Sequence, residues 1–358
     1  MTFSPAAQKF FMKKINGNIY NFLLDNGILN VPPINDNAII QWGQDQNNII
    51  KHYNSYLTNI ILPNSSGPIE KHPYIDLYNN CFNLNNRFLL LGTFPPSTYF
   101  NNLGLIGLPN PNIQNKNPLH FFYGNQNNLW KFLFNLNPNQ ITINSIKENL
   151  TKYKISITDV FSFIQRKKMK SSDDSDLKNI ILNCSILNIF SNNSSIKTIL
   201  LTSGKLSTFF KSQTSTLTGL KWILENCESD IEDYKFSGDI SGNGVYYSIN
   251  EINLMNVLNQ QDGGLVWWIR KGDKKIKIIN LPSPSNRGAA KFLGSNYFKK
   301  WVLYKAQTNN IPLPDQLQLR NLKLNYLTSY PNVFVGPPTI QFRNEIYTMA
   351  LNDTIHLI

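Results

Sequence analysis

Four short stretches of this chain combine side chains able to hold a ligand or a water with loops able to place them. The first is Gly92-Thr93-Phe94-Pro95, which ends an apolar run. A glycine without Cβ lets the backbone approach a ligand closely, and proline fixes the following φ. The second runs from Phe121 to Leu133, FFYGNQNNLWKFL, and sets aromatics beside amides just ahead of a helical pattern. Aromatic faces stack on planar groups and amides bond to their edges, or the same aromatics simply pack the start of the helix. The third runs from Ile155 to Leu177, with Asp159 as the carboxylate that closes an alternating strand. A carboxylate there accepts a proton or favours a cation, or else makes a structural hydrogen bond to a neighbouring loop. A basic cluster follows, and Ser171-Ser172-Asp173 predicts the N-cap of a next helix. The fourth is LPSPSNRGAA, from Leu281 to Ala290. Its serines, backbone N–H groups and following helix start make a phosphate clamp, with Ser283, Pro284, Ser285 and Arg287 as the gripping residues.

These loops need strands to carry them. FLLLG (88–92), KTILLTSG (197–204) and KIKIINLPS (275–283) are short apolar runs, each stopped by Gly, Ser or Pro. Such runs are what parallel strands buried on both faces look like, and open α/β sheets bind ligands at the strands' carboxyl ends. Leu129, Trp130, Leu133, Phe134 and Leu136 predict one helix, and 289–306 another. VWWIRKGDKKIKIINL (266–281) predicts a hairpin with an exposed basic turn that can add phosphate contacts. Residues 1–80 read as a separate helical extension, with Ser4-Pro5 as a helix start and Ile49, Tyr53, Tyr56, Leu57 and Ile60 on one face. LPNSSGP (62–68) reads as a linker, and 308–358 as a Pro-punctuated C-terminal extension.

Composition narrows the partners. With 358 residues and 41% hydrophobic content the chain can bury a sizeable core, which excludes a disordered or fibrous protein. A net charge of +12 favours polyanions, and nucleic acid first, because each cation that neutralises a phosphate releases counterions. Cys81, Cys184 and Cys227 are few, odd in number and scattered, so no disulfide framework, zinc site or iron–sulfur cluster is expected. No His and Cys cluster at ligand spacing, so no metal or other cofactor is expected. The N-terminus mixes Lys9, Lys13 and Lys14 with short apolar runs, and no run approaches the ~18 residues of a membrane span. A soluble, intracellular, cytoplasmic protein is expected.

Taken in order, the loops resemble those of the uracil-DNA glycosylase superfamily. Its pattern is a Gly-x-x-Pro loop after the first strand, a Tyr-Gly-Asn segment with an Asn-x-Phe-Trp-type continuation, a strand ending in Asp-Val with a Ser-Asp start downstream, a strand ending in Gly, and a Pro-Ser-Pro-type loop. The matching residues here are Gly92 to Pro95, Tyr123-Gly124-Asn125 with Asn127 to Trp130, Asp159-Val160 with Ser172-Asp173, Gly204, and Pro282-Ser283-Pro284. The resemblance spans about residues 85–305. It implies a three-layer α/β/α domain over 85–307, with a short central mostly parallel sheet. Phe94 and Leu281 depart from the polar residues that many members carry at these places, moving the chain towards the hypoxanthine-DNA glycosylase-like branch.

The resemblance further implies a monofunctional DNA glycosylase: an enzyme that flips a base out of DNA and hydrolyses its N-glycosidic bond, leaving an abasic site. Asn127 and Asp159 are then the catalytic candidates, although Asn127 also suits a cap of the helix at Trp130. Gly92, Thr93, Phe94, His120 and Tyr123 would surround the base, and Lys205 would touch a phosphate at a helix start. The substrate is either a deaminated base, in repair, or a modified base of phage DNA, in defence. The alternative is a DNA-binding protein that keeps the fold without catalysis.

Overall fold

Along FLLLG, successive side chains point to opposite sides of a sheet, and both sides are covered: Phe88 and Leu90 enter one core, Leu89 and Leu91 another. That is why the run carries no polar alternation. The computed structural model describes residues 69–72, 74, 75, 78, 81–95, 121–123, 128–166, 176–202, 216–226, 234–237, 243, 246–248, 266–284, 295–322 and 325–355. The helices expected before the linker, and the linker itself, lie outside these residues.

The chain begins with β1 (Ile69–Lys71) and β2 (Phe88–Gly92), then helices α1 (Leu129–Phe134) and α2 (Ile143–Lys152). Strands β3 (Ile155–Asp159), β4 (Phe161–Arg166), β5 (Leu177–Leu182) and β6 (Thr198–Leu201) follow, then α3 (Thr216–Asn226). Next come β7 (Tyr234–Ser237), β8 (Tyr247–Ser248), β9 (Val266–Lys271) and β10 (Lys274–Asn280). The chain closes with α4 (Asn296–Thr308), α5 (Gln316–Arg320), α6 (Tyr326–Ser329) and α7 (Pro338–Leu351).

The main sheet has seven strands in the order β3-β2-β6-β10-β9-β7-β8. β3, β2, β6 and β10 are mutually parallel, and β9, β7 and β8 continue the sheet by antiparallel pairing. Helices cover both faces. Leu90, Ile157, Leu200 and Ile279 pack with side chains of α1, α4 and α7, while Leu91, Ile199, Ile269 and Ile278 pack with α3 and the segment 184–190. The architecture is therefore α/β with a mostly parallel central sheet, as expected. The predicted hairpin is β9–β10, closed at Gly272, whose φ of +56° is the left-handed conformation that glycine adopts without strain.

One expectation is overturned after Asp159. Ser171, Ser172 and Asp173 lie outside the described residues, and Leu177–Leu182, where the expected helix would run, is a strand. β4 and β5 pair antiparallel, and β1 adds to β4, forming a separate three-stranded sheet. FSFIQR and LKNIIL both carry β-branched or aromatic residues at spacings that a strand partner satisfies, and the partner outweighs the local cap signal.

Residues at both ends join this fold. β1 ties the described residues from Ile69 onward to β4, and α7 inserts Phe342, Ile346, Tyr347 and Ala350 into the core beside α1. Cys81 is a free thiol, whereas Cys184 is disulfide-bonded, a correction to the expectation drawn from the scattered cysteines. Among the described residues no helix is long and apolar enough to cross a membrane.

Candidate active site

Four parallel strands end side by side, at Asp159, Gly92, Leu201 and Asn280. With strands about 4.8 Å apart, this row is on the order of 14 Å wide. Gly92 and Asp159 are register partners, so the first two ends lie directly beside each other.

Asp159 is only 3% exposed, and its two oxygens have different surroundings. Oδ2 accepts a hydrogen bond from His72 Nε2 at 2.8 Å. Oδ1 has no hydrogen-bond partner among the described residues. A buried acceptor left in that condition costs about 1–3 kcal/mol, and beside the committed Oδ2 it is the oxygen of this carboxylate with capacity left for a ligand.

His72 explains why the carboxylate holds its angle. The residue follows β1 and its own N–H donates to the Ser162 carbonyl at 2.8 Å. Its Nδ1 accepts from the backbone N–H groups of Tyr74 and Ile75, each at 3.1 Å. Nδ1 therefore carries no proton, and Nε2–H is the donor to Asp159. Phe94, Phe122 and Tyr74 enclose the ring at centroid distances of 5.1, 5.3 and 5.9 Å. From behind, Asn183 Nδ2 donates to the Asp159 carbonyl and to Thr158 Oγ1, both at 3.0 Å.

Gly92 is required by its neighbours. A Cβ on it would collide with Tyr123 Oη and Asp159 Oδ1, so these two oxygens converge on the space above this glycine. Tyr123 reaches it from a left-handed backbone (φ 62°), with its ring 6.0 Å from Trp130 and its Oη accepting from Thr202 Oγ1 at 3.3 Å. The rest of the first loop is anchored. Thr93 Oγ1 and Thr216 Oγ1 are 2.9 Å apart, and Arg166, 2% exposed, donates to the Pro95 carbonyl at 2.7 Å. Phe94 is buried and meets the His72 ring in a T-shaped contact, so it packs beside the His72–Asp159 pair.

The fourth loop is held by α7. Tyr347 Oη donates to the Pro282 carbonyl at 2.8 Å, and Arg343 Nη1 to the carbonyls of Pro284 and Ser283 at 3.2 and 3.5 Å. Arg343 is itself buried against the Phe132 ring at 4.3 Å, and that burial pulls its pKa down from the ordinary value. Burial pushes the Tyr347 hydroxyl up. The loop's carbonyls are thus committed to the protein, and the triplet has one backbone N–H, that of Ser283, since neither proline has one.

Of the residues singled out in the sequence, the structure brings Gly92, Thr93, Phe94, Tyr123 and Asp159 together and sets Ser283 and Pro284 at the end of the same strand row. Asn127, His120, Lys205, Ser285 and Arg287 lie outside the described residues, and Asn128 stands at the N-cap of α1 without a side-chain cap bond. His72, Asn183, Arg343 and Tyr347 were missed. His72 sits in EKHPYID, 87 residues from Asp159, so only the pairing of β1 with β4 discloses it. Among the described residues no three His, Cys, Asp or Glu side chains gather as a metal site. Compared with protein-family models, curated proteins and solved structures, the chain matches none.

Proposed function

We propose that the chain is a monofunctional DNA glycosylase of the uracil-DNA glycosylase superfamily. The observation that carries this reading is Asp159, buried at a strand's carboxyl end with Oδ2 committed to His72 and Oδ1 directed over Gly92. In the hydrolysis, the bond between the sugar and the base breaks and its electron pair leaves with the base. The sugar becomes oxocarbenium-like, water adds its oxygen to the anomeric carbon, and the proton it gives up ends on the departed base, directly or through Asp159 and solvent. Oδ1 faces the sugar cation or the water. A unit charge about 4 Å from it would gain on the order of 4 kcal/mol at an effective dielectric of about 20. That is sufficient for a rate effect of ~10³.

Tyr123 and Gly92 shape the floor for a flipped base, and the Pro282–Pro284 loop, braced by α7, meets the DNA backbone. Asn127 is a second candidate to hold the water. Phe94 and Leu281 are apolar and buried where many members carry polar groups, which favours a base other than uracil, either deaminated or a modified base of phage DNA. Duplexes carrying uracil, hypoxanthine, xanthine and modified cytosines, each treated with alkali after incubation, test the reading. Strand breaks at one of the bases support it, and intact strands throughout make the chain a non-catalytic DNA-binding protein.

A further inference from the structure

Lys235, Arg270 and Lys275 stand opposite one another on β7, β9 and β10, in direct register. Register partners share a face, so three cations line up across the sheet. All three are exposed. Like charges directly opposite each other destabilise a sheet, and although Arg270 Nε donates to the Gly272 carbonyl of the turn at 2.8 Å, three aligned cations concentrate positive charge on this face. The Tyr246 ring lies beside it, 5.8 Å from the Arg270 guanidinium and 6.0 Å from the Lys275 ammonium, and Lys275 also reaches Asn243 Oδ1 at 3.3 Å. Two residues along β10 on the same face, Lys277 pairs with Asp353 at 2.7 Å. Neither Lys235 nor Arg270 takes part in the ion pairs formed between described residues.

We infer that this row binds the phosphodiester backbone of nucleic acid, at a place distinct from the strand ends. At about 4.8 Å between strands the three cations span roughly 10 Å, and one strand of a duplex presents about three phosphates over that length. The row is linear, as the polyanion is. An anionic membrane fits less well, because a lipid surface takes up apolar side chains beside the cations. The exposed large hydrophobics among the described residues are Leu313, Leu317 and Val335, none of them on these strands. Lys275 lies five residues before Asn280 on β10, about 17 Å from the strand ends at strand rise. The row thus extends the footprint on DNA beyond the site, and its binding does not depend on glycosylase chemistry.

The test is binding of an unmodified duplex of about 30 base pairs to the full chain and to the triple variant Lys235→Gln, Arg270→Gln, Lys275→Gln, across a salt series. Removing three phosphate contacts should lower the slope of log K against log salt by about 2.7 and weaken binding at least tenfold at ~0.1 M salt. The melting temperature should stay level or rise, since the repulsion is relieved. Unchanged affinity and slope in a folded triple variant would overturn the inference. So would loss of binding to phosphatidylserine vesicles with DNA binding intact. Salt-sensitive binding through the row, with no abasic product from any substrate, would instead remove the enzymatic reading and leave this one standing.

Discussion

The Nε2–H of His72 donates to Asp159 Oδ2 at 2.8 Å, and two backbone N–H groups at 3.1 Å hold the opposite ring nitrogen. The imidazole is fixed at both ends and cannot turn to shuttle a proton. Its part is to orient the carboxylate so that one oxygen, Oδ1, remains for the ligand.

Replacing His72 should therefore act through Asp159. His72→Phe fills the aromatic enclosure but leaves Oδ2 buried without a donor, an expected loss of about 1–3 kcal/mol of stability with a marked fall in single-turnover rate. His72→Gln restores an N–H donor and should recover part of both. Thermal melting and rapid-quench kinetics read the two effects. A His72→Phe protein with native rate and stability would mean that the pair does not orient the carboxylate.

Gly92→Ala introduces a Cβ where Tyr123 Oη and Asp159 Oδ1 now converge. The strand can still form, so the protein should fold with a modest loss in melting temperature while activity falls by at least ~10²-fold, the scale of displacing a positioned catalytic group. Activity within a few-fold of the parent would show that the space above Gly92 is not where reaction occurs.

Arg343 and Tyr347 serve the last loop from α7. Tyr347→Phe removes one hydrogen bond and leaves the Pro282 carbonyl short of a donor, an expected cost of about 1–3 kcal/mol in stability. Arg343→Met keeps much of the packing on Phe132 but releases the Pro284 carbonyl. DNA affinity should drop severalfold in Arg343→Met without any change in the rate from bound DNA, which a separation of KM from kcat would reveal. An unchanged affinity would detach the loop from DNA contact.

Burial pushes the Cys81 thiol up to about 11, against a smaller opposing pull from Lys147. The raised value keeps the thiol protonated at pH 8, where thiolate is the reacting form. Alkylation of Cys81 by iodoacetamide, followed by peptide mapping, should be slow at pH 8 in the native protein and climb towards pH 11. Denaturation should bring half-reaction down towards pH 9, the ordinary value. Rapid native labelling at pH 8 would contradict the burial.

The strands that carry the site were legible because burial on both faces leaves a plain apolar run, as in FLLLG and TILL, and a loop residue stops each one. Asp159 could be picked out because it is the carboxylate that closes the alternating strand ISITD. His72 could not, since its partner is 87 residues away and the link is a strand pairing that two short, mixed segments make only in each other's presence. Arg343 and Tyr347 were hidden for a related reason. They belong to a helix buried on several sides, so its sequence lacks a clear polar face to mark which residues look inward. The helix expected after the Ser-Asp signal gives way to a strand from Leu177 because a cap is local and worth about 1 kcal/mol, whereas β5 gains a ladder with β4, even one with two register shifts.

The central claim is that Asp159 Oδ1 acts on a glycosidic bond, and the most direct measurement is the single-turnover release of abasic product by the parent and by Asp159→Asn, on whichever substrate of the panel the parent cleaves. Asparagine keeps the shape and can still occupy the site, so DNA affinity should hold. The rate should fall by at least ~10²-fold, equivalent to about 2.7 kcal/mol of transition-state stabilisation. Equal rates for the two proteins, with equal affinity, would contradict the assignment of Asp159 as the catalytic carboxylate.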